Sequence, residues 1–241
     1  MTHIQCDQVG KRFSRRPHTW LSDRLLGRPR DQFWALGDIT LTIAGPGRRV
    51  GVVGANGSGK TTLLRLIAGV TDPTCGHLVV HGRVVSLLEL LAGMEGELTG
   101  RENIDLNGVM LGMRRREIRR QLDAIVAFAG IESFLDMPLK HYSLGMRMRL
   151  GFGVAMHVPV DILLVDEAWG IGDTEFQTKS FEQLRRLQRQ GVTTLVVSHD
   201  EGVLRRLTET GIWLQGGRLA AEGPTESVLA AYRAASVSKG D

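Results

Sequence analysis

Residues 49–67 read RVGVVGANGSGKTTLLRLI. The apolar run Val50 to Val53 has the length and composition of a buried strand. It breaks at Gly54 into a glycine-rich loop ending Gly59-Lys60-Thr61, and Leu63, Leu64, Leu66 and Ile67 follow at helical spacing. The pattern G-x-x-x-x-G-K-[ST] between a strand and a helix is a cradle for a nucleoside triphosphate. Glycines at 54, 57 and 59 let backbone N–H groups turn inward around phosphates without Cβ clashes. A helix starting near Lys60 aims the positive end of its dipole at the same spot. On this reading Gly54, Ala55, Asn56, Gly57, Ser58, Gly59, Lys60, Thr61 and Thr62 hold the nucleotide. Lys60 reaches the β- and γ-phosphates, and the Thr61 hydroxyl ligates Mg²⁺.

The surrounding chain sets the scale. Its 241 residues suit one packed domain, or a domain with a subdomain. Apolar residues make up 42% and charged residues 23%, the balance of a globular chain. A net charge of +4 permits contact with an anionic surface without demanding one. Cys6 and Cys75, the only cysteines, lack metal-ligand spacing, which fits a reducing compartment. The start, MTHIQCDQVGKRF, has no apolar core of a leader peptide. The longest apolar stretch, 150–165, is interrupted by His157, Pro159 and Asp161 and falls short of the ~20 residues a membrane span needs. The expected location is cytoplasmic.

In chain order, 3–13 reads as an edge strand and turn, and 34–43 alternates as a strand does. Between them 14–33 is a basic, insertion-like segment. It is expected as a surface loop, or as a short helix with Trp20, Leu21 and Leu25 on one face that touches a membrane-embedded partner. Two short strands flank Gly82 within 76–88. From 91 to 157 the pattern turns helical, at 101–112, 115–130 and 144–157, so this region reads as an inserted helical subdomain between core segments 1–90 and 158–241. The basic run Arg114-Arg115-Arg116 with Arg119-Arg120 reads as a solvated helix face. Strands return at 161–165 and 193–198, and a further helix is expected around 225–235. Strands and helices alternating on both sides of the insertion imply an α/β fold with a mostly parallel sheet.

Two more constellations carry chemistry. Ile162 to Val165 is an apolar strand ending in Asp166-Glu167, and ligands bind at such carboxyl ends. Asp166 is suited to hold Mg²⁺ through a water, and Glu167 to orient the attacking water. Tyr142-Ser143-Leu144-Gly145-Met146 opens a helix 24 residues before Glu167. Phosphate loop, helical insertion, S-x-G helix start, Asp-Glu strand and Ser198-His199-Asp200, in that order, resemble the ATP-binding-cassette (ABC) ATPases over essentially the whole chain. The resemblance implies a P-loop ABC-type nucleotide-binding domain that uses ATP and Mg²⁺. It places Ser143 and Gly145 in the signature loop, Gly172-Asp173 in the loop that crosses a dimer interface, and His199 as the switch histidine on the γ-phosphate. It implies a head-to-tail homodimer with ATP between one phosphate loop and the other signature loop. Two positions depart from the family. No glutamine occurs between Gln32 and Gln121, leaving Glu89 as the nearest replacement ligand for Mg²⁺, and Leu144 replaces a signature glycine. Phe13, Phe33 and Trp34 are all candidates to stack on adenine.

Phe33-Trp34-Ala35-Leu36, Leu87-Leu88-Glu89-Leu90, Leu98 to Asn103, Tyr142 to Met146, and Phe176-Gln177 are similar to one branch, the ATPase subunits of bacterial polysaccharide exporters. The likeness is strongest to the O-antigen type, in a short form without a carbohydrate-binding domain. It implies a peripheral subunit on the inner face of the membrane, a separate integral-membrane permease, and lipid-linked polysaccharide as cargo. The alternatives are ATPase subunits for capsule, teichoic acid or small molecules. A nucleic-acid-acting cassette protein is disfavoured, since such proteins carry a long coiled-coil insertion or two cassettes.

Overall fold

A computed structural model describes residues 2–14, 32–88, 90–166 and 173–237. The basic segment 15–31, Glu89 and residues 167–172 lie outside these described residues, so the expectations placed on them have no structural counterpart here.

The strands are β1 (His3–Ser14), β2 (Gln32–Ala44), β3 (Arg49–Val53), β4 (Cys75–His81), β5 (Val84–Ser86), β6 (Ile162–Val165), β7 (Thr193–Val197), β8 (Thr210–Gln215) and β9 (Arg218–Pro224). The α-helices are α1 (Lys60–Ile67), α2 (Gly100–Met110), α3 (Arg115–Ala129), α4 (Leu144–His157), α5 (Thr174–Arg189), α6 (Glu201–Leu207) and α7 (Thr225–Val237).

The principal sheet has the order β5-β6-β7-β3-β8-β9. It is parallel from β5 through β8, and only β9 runs antiparallel. The expected mostly parallel core is therefore present. A second, three-stranded antiparallel sheet, β2-β1-β4, is not anticipated by the sequence reading. The expected edge strand at 3–13 is in fact its middle strand, because β1 pairs β2 on one side and β4 on the other. The two short strands around Gly82 are β4 and β5, and they divide between the two sheets.

Side-chain alternation explains the layering. Ile162 and Leu164 of β6 face one apolar cluster, while Leu163 and Val165 face another. The first cluster holds α1, through Leu63, Leu64, Leu66 and Ile67, between the parallel sheet and Ile4, Val9, Ile39, Leu41 and Ile43 of the antiparallel sheet. The second takes in residues of α2–α7, so the helices of 100–157 share one core with the parallel sheet. Burying each of the four α1 side chains contributes about 1.5–3 kcal/mol. That burial anchors the start of α1 beneath the phosphate loop.

Candidate nucleotide site

Three adjacent parallel strands, β6, β7 and β3, end side by side. Val52 pairs with Val197 and Val165 with Val196, so the loops after all three leave from one sheet edge. Ligands of open α/β sheets bind at this edge.

Close packing forces the shape of the loop after β3. Gly59 caps α1 with φ +103°, and a Cβ there would lie 2.7 Å from the Ala35 carbonyl oxygen and 2.5 Å from Leu36 Cδ2. At Gly54 a Cβ would meet the Leu214 carbonyl oxygen at 2.3 Å. Only glycine fits at either position. The Ser58 N–H donates to the Ala55 carbonyl at 3.1 Å, and the Gly217 N–H donates to the Ser58 carbonyl at 3.1 Å. Gly37 N–H in turn donates to the Gly217 carbonyl at 2.8 Å. The β8–β9 hairpin thus pins the phosphate loop to β2. The sequence reading missed this clamp, although the Gly216-Gly217 pair between two strands is a hairpin signal.

Lys60 is buried, and its Nζ donates to the carbonyls of Gly54 at 2.7 Å and Ala55 at 3.2 Å. Asn56, Gly57, Ser58, Gly59, Lys60, Thr61, Thr62 and Asp166 line one cavity of about 400 Å³. Phe13, Phe33, Trp34 and Ala35 complete its wall. All three aromatic candidates are therefore on hand. Phe13 and Phe33 pack with centroids 6.1 Å apart, and Arg12 lies 5.5 Å over the Trp34 ring.

The donor set fits a magnesium nucleotide. The Ser58 hydroxyl is buried without a hydrogen-bond partner among the described residues. A buried ammonium, a threonine hydroxyl and a carboxylate line one cavity, and Gly54 and Gly59 of its loop leave no room for a Cβ against the chain packed around them. No cluster of three or more His, Cys, Asp or Glu that could hold a metal exists among the described residues. Mg²⁺ in nucleotide sites needs none, since it takes one or two protein oxygens together with substrate phosphates.

The other described residues expected at the site do not line this cavity. Ser143 caps α4, its Oγ accepting the Met146 N–H at 3.2 Å, and it lies outside the 400 Å³ cavity, as does Gly145. Asp173 caps α5, its Oδ1 accepting the Phe176 N–H at 2.8 Å, and its carboxylate lies 3.8 Å from Arg149 of α4. His199 follows β7 and lines a separate groove of about 710 Å³ with α5 and α6. In that groove Arg206 lies 4.5 Å over the Phe181 ring. Glu167 and Glu89, expected as water-orienting group and Mg²⁺ ligand, lie outside the described residues.

A strap ties the region after residue 94 to the start of α4. Leu139 N–H donates to the Leu98 carbonyl and Lys140 N–H to the Gly96 carbonyl, each at 2.8 Å. Asn103, fully buried, donates to the carbonyls of Glu95, Leu98 and Thr99 and accepts the Glu95 N–H. Tyr142 donates its hydroxyl to the Phe134 carbonyl at 2.7 Å and packs where a Gly100 side chain would go. Loop 95–99 and Ser143 therefore belong to one hydrogen-bonded unit.

A parallel sheet with a phosphate loop, a buried lysine and an aspartate at its carboxyl edge defines a P-loop nucleotide-binding protein. The family model described as ABC transporter matches residues 36–170, and the chain belongs to that family. It is 44% identical over 216 residues to the O-antigen export system ATP-binding protein RfbB of Myxococcus xanthus, covering 90% of this chain and 49% of that one. It is 42% identical over 204 residues to the protein of that name from Klebsiella pneumoniae, covering 85% of this chain and 82% of that one. The chain thus spans about half of the first relative and most of the second. The fold superposes on a dimeric post-hydrolysis state of the ATP-binding cassette MJ0796 bound to ADP and Pi, with a TM-score of 0.74, 22% identity, and 92% and 98% of the two chains covered.

Proposed function

We propose that this chain is the ATP-hydrolysing motor subunit of an ABC transporter that exports lipid-linked, O-antigen-like polysaccharide across the cytoplasmic membrane. It works as a homodimer on the inner face of the membrane with an integral-membrane permease. One observation carries this reading. The phosphate loop, Lys60 and Asp166 line a cavity that Ser143 and Gly145 do not reach, which supports a site completed by a second copy. The names of the relatives support the cargo. Among the described residues no helix is long and apolar enough to cross a membrane, and in this reading the permease supplies the passage.

The roles follow from the chemistry of the groups. Lys60 and the loop N–H groups neutralise the β- and γ-phosphates. Thr61 and Asp166 hold Mg²⁺, with Glu89 as a further ligand. The metal, when bound, offsets charge developing on the phosphates. Glu167 orients the attacking water, and His199 holds the γ-phosphate. Asp173 crosses the interface. Ser143 of the partner subunit and the α4 N-terminus behind it add donors to the γ-phosphate. ATP then joins the two subunits, and hydrolysis releases them. Segment 91–157 is the helical subdomain, and 1–90 with 158–241 form the ATP-binding core.

Glu167→Gln tests the motor. The variant should bind ATP, lose nearly all turnover and persist as an ATP-bound dimer in size-exclusion chromatography. Unchanged turnover, or a monomer with ATP bound, would overturn it. For the cargo, deleting the gene should strand polymer in the cytoplasm. Polymer still reaching the cell surface would redirect the reading to capsule, teichoic acid or small-molecule transport.

A further inference from the structure

The α2–α3 corner breaks local rules that the fold gives no reason to break. Arg114 caps α3, and Arg115, Arg116, Arg119 and Arg120 occupy its first two turns, all exposed. Cations at a helix N-terminus oppose the helix dipole. Arg115 with Arg119 and Arg116 with Arg120 are like-charge neighbours at i,i+4, which further destabilises the helix. Glu117 is the lone acid in these turns, and it accepts the Arg114 backbone N–H at 2.8 Å. None of the five arginines forms an ion pair among the described residues. Asp136 and, at longer range, Asp105 and Asp123 act on Arg101 instead. Directly before this run, Val109 and Met110 end α2 with 48% and 60% of their surfaces exposed. A tight turn, Met113 N–H to the Gly108 carbonyl at 2.8 Å, joins the end of α2 to the basic turns.

We propose that this corner docks on an anionic phospholipid bilayer. The five arginines meet headgroup phosphates, and Val109 and Met110 enter the interfacial layer. The proposal rests on the reading of the chain as a membrane-transport subunit. A planar field of phosphates satisfies arginines spread over a convex helix end. Single-stranded nucleic acid would call for aromatic stacking surfaces, and residues 109–120 contain none.

The test uses the full chain and sedimentation with vesicles of phosphatidylcholine, with and without phosphatidylglycerol. The wild type should pellet only with the anionic vesicles and be released by salt. A variant with Arg115, Arg116, Arg119 and Arg120 all changed to Glu should lose about 100-fold or more in partitioning, since each basic residue near an anionic leaflet contributes about fivefold. Its nucleotide binding and ATP turnover should match the wild type, which separates failure of this surface from failure of the motor reading. Met110→Ser should weaken pelleting with the anionic vesicles at low salt and lower the salt concentration that releases the protein. Three results would each overturn the proposal. These are wild-type pelleting that ignores phosphatidylglycerol, undiminished pelleting of the four-site variant with loss instead on changing Arg15, Arg16, Arg28 and Arg30 to Glu, and RNA that outcompetes vesicles at equal phosphate.

Discussion

Single residues at the phosphate loop do work that no neighbour can take over. Gly59→Ala forces a side chain into the Ala35 carbonyl at a positive φ. The αL strain alone costs about 1–2 kcal/mol, and the clash adds to it. Urea denaturation should show a loss of 2 kcal/mol or more, together with weakened ATP binding. Lys60→Ala removes a charge-assisted donor, and equilibrium binding should show ATP affinity falling at least about 10-fold. His157 supplies a pH signature away from this site. Burial beneath Phe128 holds its imidazole below the ordinary histidine value of 6.5, and Arg186 pushes the same way, although the 2.7 Å bond from Nδ1 to the Gly153 carbonyl opposes them. The folded state therefore resists protonation that the unfolded chain accepts. Stability from this group is complete above pH 6.5 and declines as pH falls from there toward the lowered folded value. Denaturation midpoints at pH 7.5 and 5.5 should differ less in His157→Gln than in the wild type.

At the scale of elements, periodicity found the helices and strands, and chain neighbours decided their ends. The expected helices at 101–112, 115–130 and 144–157 match α2, α3 and α4 to within two residues. Their polar ties were less legible. Asn103 lies on α2 among apolar positions, and its four bonds to loop 95–99 depend on where that loop returns. Asn103→Ala should destabilise the protein by about 1–3 kcal/mol and expose 95–99 to limited proteolysis, because several backbone groups lose a partner at once. The strap from Leu98 to Leu139 then predicts a second effect. Slackening this loop should also lower ATP-driven dimerisation, since Ser143 sits on the same unit. A variant destabilised without any change in dimerisation would sever that link.

The whole molecule is held in register by a contact between its two sheets. Gly217, at φ +79°, lies so near β2 that a Cβ would sit 2.7 Å from the Ala35 carbonyl oxygen, and its N–H donates to the Ser58 carbonyl of the phosphate loop. Gly217→Ala should lower stability by about 2 kcal/mol and reduce ATP affinity. Gly216→Ala is the control. Its φ is +56°, but an added Cβ meets nothing within 4 Å, so it should cost about 1–2 kcal/mol from strain and leave ATP affinity unchanged. Calorimetry with and without nucleotide distinguishes the two.

The sequence alone determined the glycine loop between β3 and α1, the Asp166 strand end, the parallel core and the helices between 100 and 157. Each rests on short-range chemistry, on period-2 or period-3.6 burial and on glycines where a Cβ cannot fit, so each can be read within about 20 residues of chain. Only the tertiary structure decided that β1 is a central strand, that a second sheet covers α1, that a distant hairpin clamps the loop, and that Ser143 and His199 stand apart from the cavity in one chain. Those facts depend on pairing between segments tens to nearly two hundred residues apart. Local patterning does not encode which of several compatible edges a strand or loop will meet.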